Sequence, residues 1–214
     1  MASRYGLSVE WYVGRVENHV LKAPDEIADV NTGNDVRGFS DDFWTGKFAN
    51  QKRVRSVSFP NVTIIGARAL KECFKFCHYI ETASFGALTN IDGAEALWST
   101  FDRNIALTSI SMPNLVEISG ANGARSICYE CTSLQTVDLP LLKTISGTGG
   151  LQSAFFNCTN ITSISFPALE TIGESGFSET MRACTSLENI ALPSLTNVGP
   201  RGLNNELYGC TSIA

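Results

Sequence analysis

The stretch CTSLQTVDLPLLKTISG, which runs from Cys131 to Gly147, recurs along the chain and decides its fold. Close copies begin at Cys158 (CTNITSISFPALETIG) and at Cys184 (CTSLENIALPSLTNVG), and looser copies precede them. The residues that head the copies lie 26 or 27 positions apart; they are Gln51, Cys77, Asn104, Cys131, Cys158, Cys184 and Cys210. A fixed period in this range predicts a repeat solenoid, in which one unit cannot bury its apolar face alone.

Each copy begins with a short apolar pattern that predicts a strand. In the Cys131 copy, Leu134, Val137 and Leu139 follow the spacing L-x-x-L-x-L. The alternation of Val137 and Leu139 is typical of a strand with one buried face. A proline follows this strand in five of the six copies, and proline ends a strand because it has no N–H to donate.

A second apolar pattern follows the glycine that closes each strand-and-turn block. In the Cys131 copy, Leu151 and Phe155 lie four and eight positions after Gly147, and the next head residue lies three positions further. Steps of four and three predict a short helix with one inward stripe. The expected fold is therefore an α/β solenoid, with a parallel sheet on one face and short helices on the other.

These repeats resemble the BspA-like (Treponema-type) class of leucine-rich repeats. Leu142, Leu169 and Leu195 occupy the position after the strand at which that class has leucine, and residues 155–158 carry its F-x-x-C motif. The resemblance covers residues 40–214, as six repeats and a truncated seventh. It implies a microbial module for protein binding or adhesion, exposed at a surface or associated with a particle, and without an active site.

Residues 1–39 do not fit the repeat, and two interpretations of them remain open. As a cap on the first repeat, they favour a recognition or adhesion module. As an attachment segment, they favour a structural component of a larger assembly, such as a phage or virion particle. The N-terminus lacks a signal-peptide pattern, and no segment reaches transmembrane length. Because the last copy stops shortly after Cys210, we expect an open C-terminal end that is covered either by a second copy, in a homodimer, or by the next repeat of a longer protein.

Catalytic and cofactor signals are weak in this sequence. Only two histidines occur, His19 and His78, and neither lies in a motif with a nucleophile or metal ligands. Five of the seven cysteines occupy the head position of a repeat, and we expect the cysteines to be buried free thiols. The net charge of −5 argues against nucleic acid as a partner. We therefore expect that the protein is not an enzyme and binds no cofactor.

Two sets of residues are candidates for contact with a protein partner or a host surface component. The first is a basic stretch, Lys52, Arg53 and Arg55, in a segment (47–75) that has seven basic residues and one acidic residue. It can steer an acidic partner or pair with the acidic N-terminal segment. The second set lies on the outward side of the strands and is mostly hydroxylated: Thr82, Thr108, Ser109, Ser111, Thr136, Asp138, Thr162, Ser163 and Ser165.

Overall fold

A computed structural model describes residues 16–17, 20–22, 49–50 and 54–213, and no helix occurs within these ranges. Each repeat instead contributes one strand of three residues and one strand of two residues. The three-residue strands are β3 (Ser56–Ser58), β5 (Thr82–Ser84), β7 (Ser109–Ser111), β9 (Thr136–Asp138), β11 (Ser163–Ser165) and β13 (Asn189–Ala191). The two-residue strands are β4 (Ile64–Ile65), β6 (Asn90–Ile91), β8 (Glu117–Ile118), β10 (Thr144–Ile145), β12 (Thr171–Ile172) and β14 (Asn197–Val198). The N-terminal strands are β1 (Val16–Glu17) and β2 (Val20–Lys22).

The strands stack into parallel ladders, so that each repeat forms one coil, or rung, of a β-solenoid. The first ladder runs in the order β1-β2-β3-β5-β7-β9, and β11-β13 continues it as a separate pair. The second ladder joins β4, β6, β8, β10, β12 and β14 without a break. Equivalent residues lie over one another, as Val57 does over Ala83 and Ala83 over Ile110. The predicted parallel sheet is confirmed, and the second ladder was not predicted.

The N-terminal part of the chain meets the solenoid through a small hairpin. β1 pairs with β2 in antiparallel fashion, and β2 pairs with β3 in parallel, with Leu21 opposite Val57. The first ladder thus extends beyond the first repeat. The division of the chain at residues 39 and 40 stays a prediction, since most of residues 1–39 lie outside the described ranges.

The predicted short helices are wrong. The segment after each repeat glycine is a run of tight turns, in which every second N–H donates to the carbonyl three residues earlier, as Lys71 does to Arg68 at 3.2 Å. The intervening N–H groups point along the solenoid and donate to the next rung, as Leu70 does to Ala96 at 2.9 Å. We call this third face the turn ladder.

The spacing of the rungs explains why a helix does not form. Both strand ladders hold neighbouring rungs about 4.8 Å apart, whereas an α-helix with its side chains is about 10 Å wide. Helices in successive rungs would spread the rungs on that face and curve the stack into a horseshoe, whereas the hydrogen bonds of the turn ladder hold the rungs there at the spacing of the strands. The flat turn ladder instead satisfies its backbone partly within the rung and partly between rungs.

The inward stripe was predicted correctly, although its cause was not a helix. Left-handed residues recur every four positions in the turn ladder, as at Arg68 (φ 52°), Glu72 (φ 53°) and Phe76 (φ 60°). A four-residue unit brings Leu70 and Phe74 to the same inward side, and both are buried. The stripe stays buried in the first five repeats, whereas Leu203 in the sixth is 38% exposed.

The repeat glycines Gly93, Gly120 and Gly147 lie in a column where neighbouring backbones approach too closely for a side chain. A Cβ atom built on Gly120 would collide with the carbonyl oxygen of Gly93, and one on Gly147 would collide with that of Gly120. By contrast, a Cβ on Gly86 would lie 3.4 Å from the nearest atom, the carbonyl oxygen of Pro60, which is an ordinary contact. Close approach therefore explains the glycine in these three blocks, whereas a Cβ on Gly173 would make a tight contact of 3.0 Å rather than a collision.

The head cysteines stack in the core as hydrogen-bonded thiols. Cys131 Sγ donates to the carbonyl of Phe101 at 3.0 Å, and Cys158 Sγ donates to that of Cys128 at 3.1 Å. Six of the seven cysteine thiols are buried, and that of Cys210 is half-buried. Burial raises the pKa of Cys184 to about 12, which keeps this thiol protonated at neutral pH.

Candidate functional site: a groove in the strand face

The outward side of the first ladder, which we call the strand face, carries the predicted hydroxylated residues. Seven of them lie within its three-residue strands and two lie one position before a strand. The first group is Thr82, Ser109, Ser111, Thr136, Asp138, Ser163 and Ser165, and the second is Thr108 and Thr162. The sequence therefore placed these nine residues on one face of the molecule.

Some of these hydroxyl groups are already used within the solenoid. Thr108 Oγ1 donates to the carbonyl of Glu81 at 2.9 Å. Ser111 Oγ donates to the Asp138 carboxylate at 2.7 Å. These bonds link neighbouring rungs, so some polar groups of the strand face already have hydrogen-bond partners within the solenoid.

The basic stretch is only partly described by the structure. Lys52 and Arg53 lie outside the described residues. The Arg55 guanidinium lies 3.8 Å from the Glu81 carboxylate and 4.8 Å from the centre of the Tyr79 ring. Arg55 therefore has a local acidic partner within the solenoid itself, and its role in recruiting another protein stays a prediction.

The strand face is interrupted between β9 and β11, where two neighbouring strands do not pair. In the rungs before it, Met112 N–H donates to the Asp138 carbonyl at 2.9 Å. The equivalent group on the other side of β9 is the Leu139 N–H, and it makes no backbone hydrogen bond among the described residues. The Thr162 N–H also makes no backbone hydrogen bond among the described residues. In the next rung, the equivalent Glu188 N–H donates to the Thr162 carbonyl at 2.9 Å.

The interruption is confined to this face of the solenoid. Across the same two rungs, the second ladder pairs Ile145 with Ile172. The turn ladder is also intact there, with Ser153 N–H donating to Ser178 O at 3.0 Å. The two rungs are therefore joined on two faces and open on the third, which makes a groove that faces solvent.

This groove, the interstrand groove, has a volume of about 480 Å³. Its floor is apolar, and Val137 is only partly buried there, whereas the equivalent residue Ile110 is fully buried. Its walls bring together four of the predicted contact residues. The lining residues are Gln135, Thr136, Val137, Asp138, Leu139, Pro140, Ser163, Ile164, Ser165, Pro167, Asn189 and Ala191.

The polarity of the groove limits the ligands that it can accept. Asp138 is the one charged residue among those that line it, and the remaining polar groups are hydroxyls and amides. The Asp138 carboxylate accepts a hydrogen bond from Ser111 and carries a negative charge, so it attracts a cationic group at the groove. The groove therefore offers backbone donors and acceptors, neutral side chains and one negative charge above an apolar floor.

Clusters of metal-ligating side chains and membrane-spanning helices are both absent from the part of the chain that the structure describes. No group of three or more His, Cys, Asp or Glu residues there could hold a metal ion. No helix there has the length and apolar character needed to span a bilayer. His78 instead packs edge-on against Phe76, with ring centres 6.3 Å apart.

An aromatic and arginine stack on the turn ladder was missed at the sequence level. Tyr129 and Phe156 stack with their ring centres 4.6 Å apart, and Arg182 lies 5.6 Å from Phe156 and 4.9 Å from Tyr208. All four residues lie nine positions after a repeat glycine, so their shared register was the available signal. The ring faces of Tyr129 and Phe156 are turned toward each other, which favours a stabilising role.

The folding pattern defines a class before any comparison is made: a solenoid of stacked leucine-rich repeats. The sequence matches the BspA type leucine rich repeat region, in six copies, over residues 43–178 and 124–213. The chain belongs to the BspA-type leucine-rich repeat family. This family is defined by its repeat region, and no enzyme family is indicated.

Two solved structures are similar to this chain. A leucine-rich repeat protein from Bacteroides ovatus ATCC 8483 is 26% identical, with a TM-score of 0.39, over 78% of this chain and 49% of that one. A leucine rich cell surface protein from Faecalibacterium prausnitzii A2-165 is 16% identical, with a TM-score of 0.32, over 79% of this chain and 61% of that one. The matched region thus spans about half the length of the first protein. No curated protein sequence is detectably similar.

Proposed function

We propose that this protein is a non-enzymatic recognition or adhesion module that contacts its partner through the strand face. The observation that carries the proposal is the alignment of outward polar residues over successive rungs, together with the interstrand groove among them. The partner is a protein or a host surface component. Because the face lacks large anchoring side chains, affinity comes from many small contacts repeated along the solenoid.

The proposal is tested by placing charge on one face of the solenoid at a time. The strand-face variant carries Thr82→Arg, Ser109→Arg and Ser163→Arg. The control variant carries Asn90→Arg, Thr144→Arg and Thr171→Arg, which adds the same charge at strand positions of the second ladder. Both variants and the parent protein are applied to immobilised extracellular matrix proteins and to intact epithelial cells.

We expect the parent and the control variant to bind the same targets, and the strand-face variant to lose at least tenfold in affinity. Thermal unfolding of all three proteins checks that the fold is retained. Equal binding by the strand-face variant would show that recognition uses another surface. The absence of binding by the parent to every target would remove the adhesion proposal.

A further inference from the structure

The interstrand groove exposes backbone groups of two strand edges that face each other. Their neighbours in other rungs are paired: Phe85 N–H donates to Ser111 O at 2.9 Å, and Phe166 N–H donates to Ala191 O at 3.0 Å. Only between β9 and β11 does a described pair of adjacent three-residue strands lack this pairing. Free strand edges are templates for the addition of another strand.

The two free edges stand farther apart than paired strands do. All Cα pairs between β7 and β9 lie within 8 Å, whereas most of those between β9 and β11 are farther apart. A strand inserted between two edges lies about 4.8 Å from each, so it needs edges about 10 Å apart. An α-helix has a diameter of about 10 Å with its side chains and would need a wider opening.

The chemistry of the lining selects among extended ligands. The floor formed by Val137, Leu139 and Pro167 favours apolar side chains at alternate positions of the ligand. Asp138 favours a lysine or arginine at a position between them. None of the described residues that line the groove is aromatic, so a sugar ring would find no face on which to stack.

We propose that the interstrand groove binds an extended peptide segment of a partner protein, by strand addition to the free edges of β9 and β11. The segment carries apolar residues in alternation with at least one lysine or arginine. This inference rests on the proposed recognition function and names the part of the partner that is recognised. Backbone hydrogen bonds supply the affinity, and the floor and Asp138 supply the selectivity.

The experiment uses a reversible lock on the groove. Thr136→Cys with Ser163→Cys places two thiols on equivalent outward positions of β9 and β11, in a Cys210→Ser background that removes the half-buried native thiol. A disulfide requires Cα atoms within about 7 Å, so its formation closes the groove. The matched control is Thr82→Cys with Ser109→Cys in the same background, because these residues already face each other in paired strands.

The probe is a displayed library of random heptapeptides, selected on the reduced groove protein and counter-selected on its oxidised form. We expect enriched peptides that alternate apolar and polar residues and contain a lysine or arginine. A synthetic copy should bind at least tenfold more weakly after oxidation and recover on reduction, whereas oxidation of the control pair should change nothing. Methylation of the backbone nitrogens of the peptide should also abolish binding.

Several results would overturn the proposal. One is the enrichment of no peptide, and another is the enrichment of peptides that bind the open and locked forms equally. Undiminished binding by the N-methylated peptide would exclude strand addition. Binding to a glycan array that is lost on oxidation, without any enriched peptide, would assign the groove to a carbohydrate. None of these results would refute recognition through the strand face, which the charge variants test separately.

Discussion

Replacing Asn104 by cysteine should stabilise the protein. Asn104 occupies the head position that holds cysteine in the neighbouring repeats, and its side chain is fully buried. Both polar atoms of its amide are buried without a hydrogen-bond partner in the described structure. Cys131, one rung further on, uses its thiol to donate to the carbonyl of Phe101. A cysteine at position 104 would meet the equivalent carbonyl, that of Phe74.

The size of the effect follows from the burial of the amide. A buried polar group without a partner costs about 1–3 kcal/mol, and a thiol is a small, weakly polar group that packs well in a core. We therefore expect Asn104→Cys to raise the free energy of unfolding by about 2 kcal/mol. For a chain of this length, that corresponds to a rise in Tm of about 4–8 °C. The reverse change at the next rung, Cys131→Asn, should destabilise the protein by a similar amount.

The assay is chemical unfolding at constant pH under reducing conditions, followed by circular dichroism and tryptophan fluorescence. Coincident transitions in both signals would justify a two-state free energy. An unchanged or lower stability of Asn104→Cys would refute the reasoning, because it would mean that the Asn104 amide already has satisfied hydrogen bonds. A neutral effect of Cys131→Asn would refute the role given to the thiol ladder.

Three further predictions concern the glycine column, a buried carboxylate and the thiols. Gly120→Ala should destabilise the protein by about 3 kcal/mol or more, because its Cβ would meet the backbone of Gly93. The control Gly86→Ala should change stability by less than about 0.5 kcal/mol, and thermal unfolding compares the two variants. Burial raises the pKa of Glu206 to about 8, and the backbone of Thr180 and Met181 offsets this only in part. The folded state therefore holds this proton more tightly than the unfolded state, so Glu206 makes the protein less stable as the pH rises from about 4.5 to 8. Glu206→Gln should remove this loss of stability, which we expect to be about 2 kcal/mol because the Glu206 side chain keeps partial contact with water. Denaturant titrations of the parent and the variant at pH 5 and pH 9 measure the difference. Equal pH dependence of stability in the two proteins would contradict the prediction. In the folded protein, a thiol reagent should modify Cys210 first, because the other six thiols are buried. Cys210→Ser should abolish this fast phase of labelling in a time course followed by mass spectrometry. Fast labelling of any other cysteine would contradict the described core.

The strands and the core were predictable because each depends on local pattern. Alternation at Val137 and Leu139 and the period of 26 or 27 residues identify the first ladder and its register. The second ladder was not predictable in the same way. Its strands, such as Thr144–Ile145, have only two residues, too few for an alternation to be recognised.

The turn ladder was misread because its period coincides with that of a helix. A stripe at steps of four, such as Leu70 and Phe74, fits both a helix and a chain of four-residue turns. What distinguishes them is the space between rungs, which depends on both strand ladders being paired. That is a property of the assembled solenoid rather than of a single repeat.

The candidate site was also predictable only in part. The outward position of Thr136, Asp138, Ser163 and Ser165 followed from the strand register. Their arrangement around a groove did not, because β9 and β11 have the same repeat pattern as strands that do pair. The loss of pairing concerns contacts between rungs, which the sequence of one repeat does not encode.

Amide hydrogen exchange resolved to single residues tests the open strand edges most directly. The N–H groups of Leu139 and Thr162 should exchange rapidly, because neither makes a backbone hydrogen bond in the described structure. The N–H groups of Met112 and Glu188, which occupy equivalent positions in paired rungs, should be protected at least a hundredfold more strongly. Equal protection of all four groups would mean that β9 and β11 pair in solution, and would contradict the groove on which the account of recognition depends.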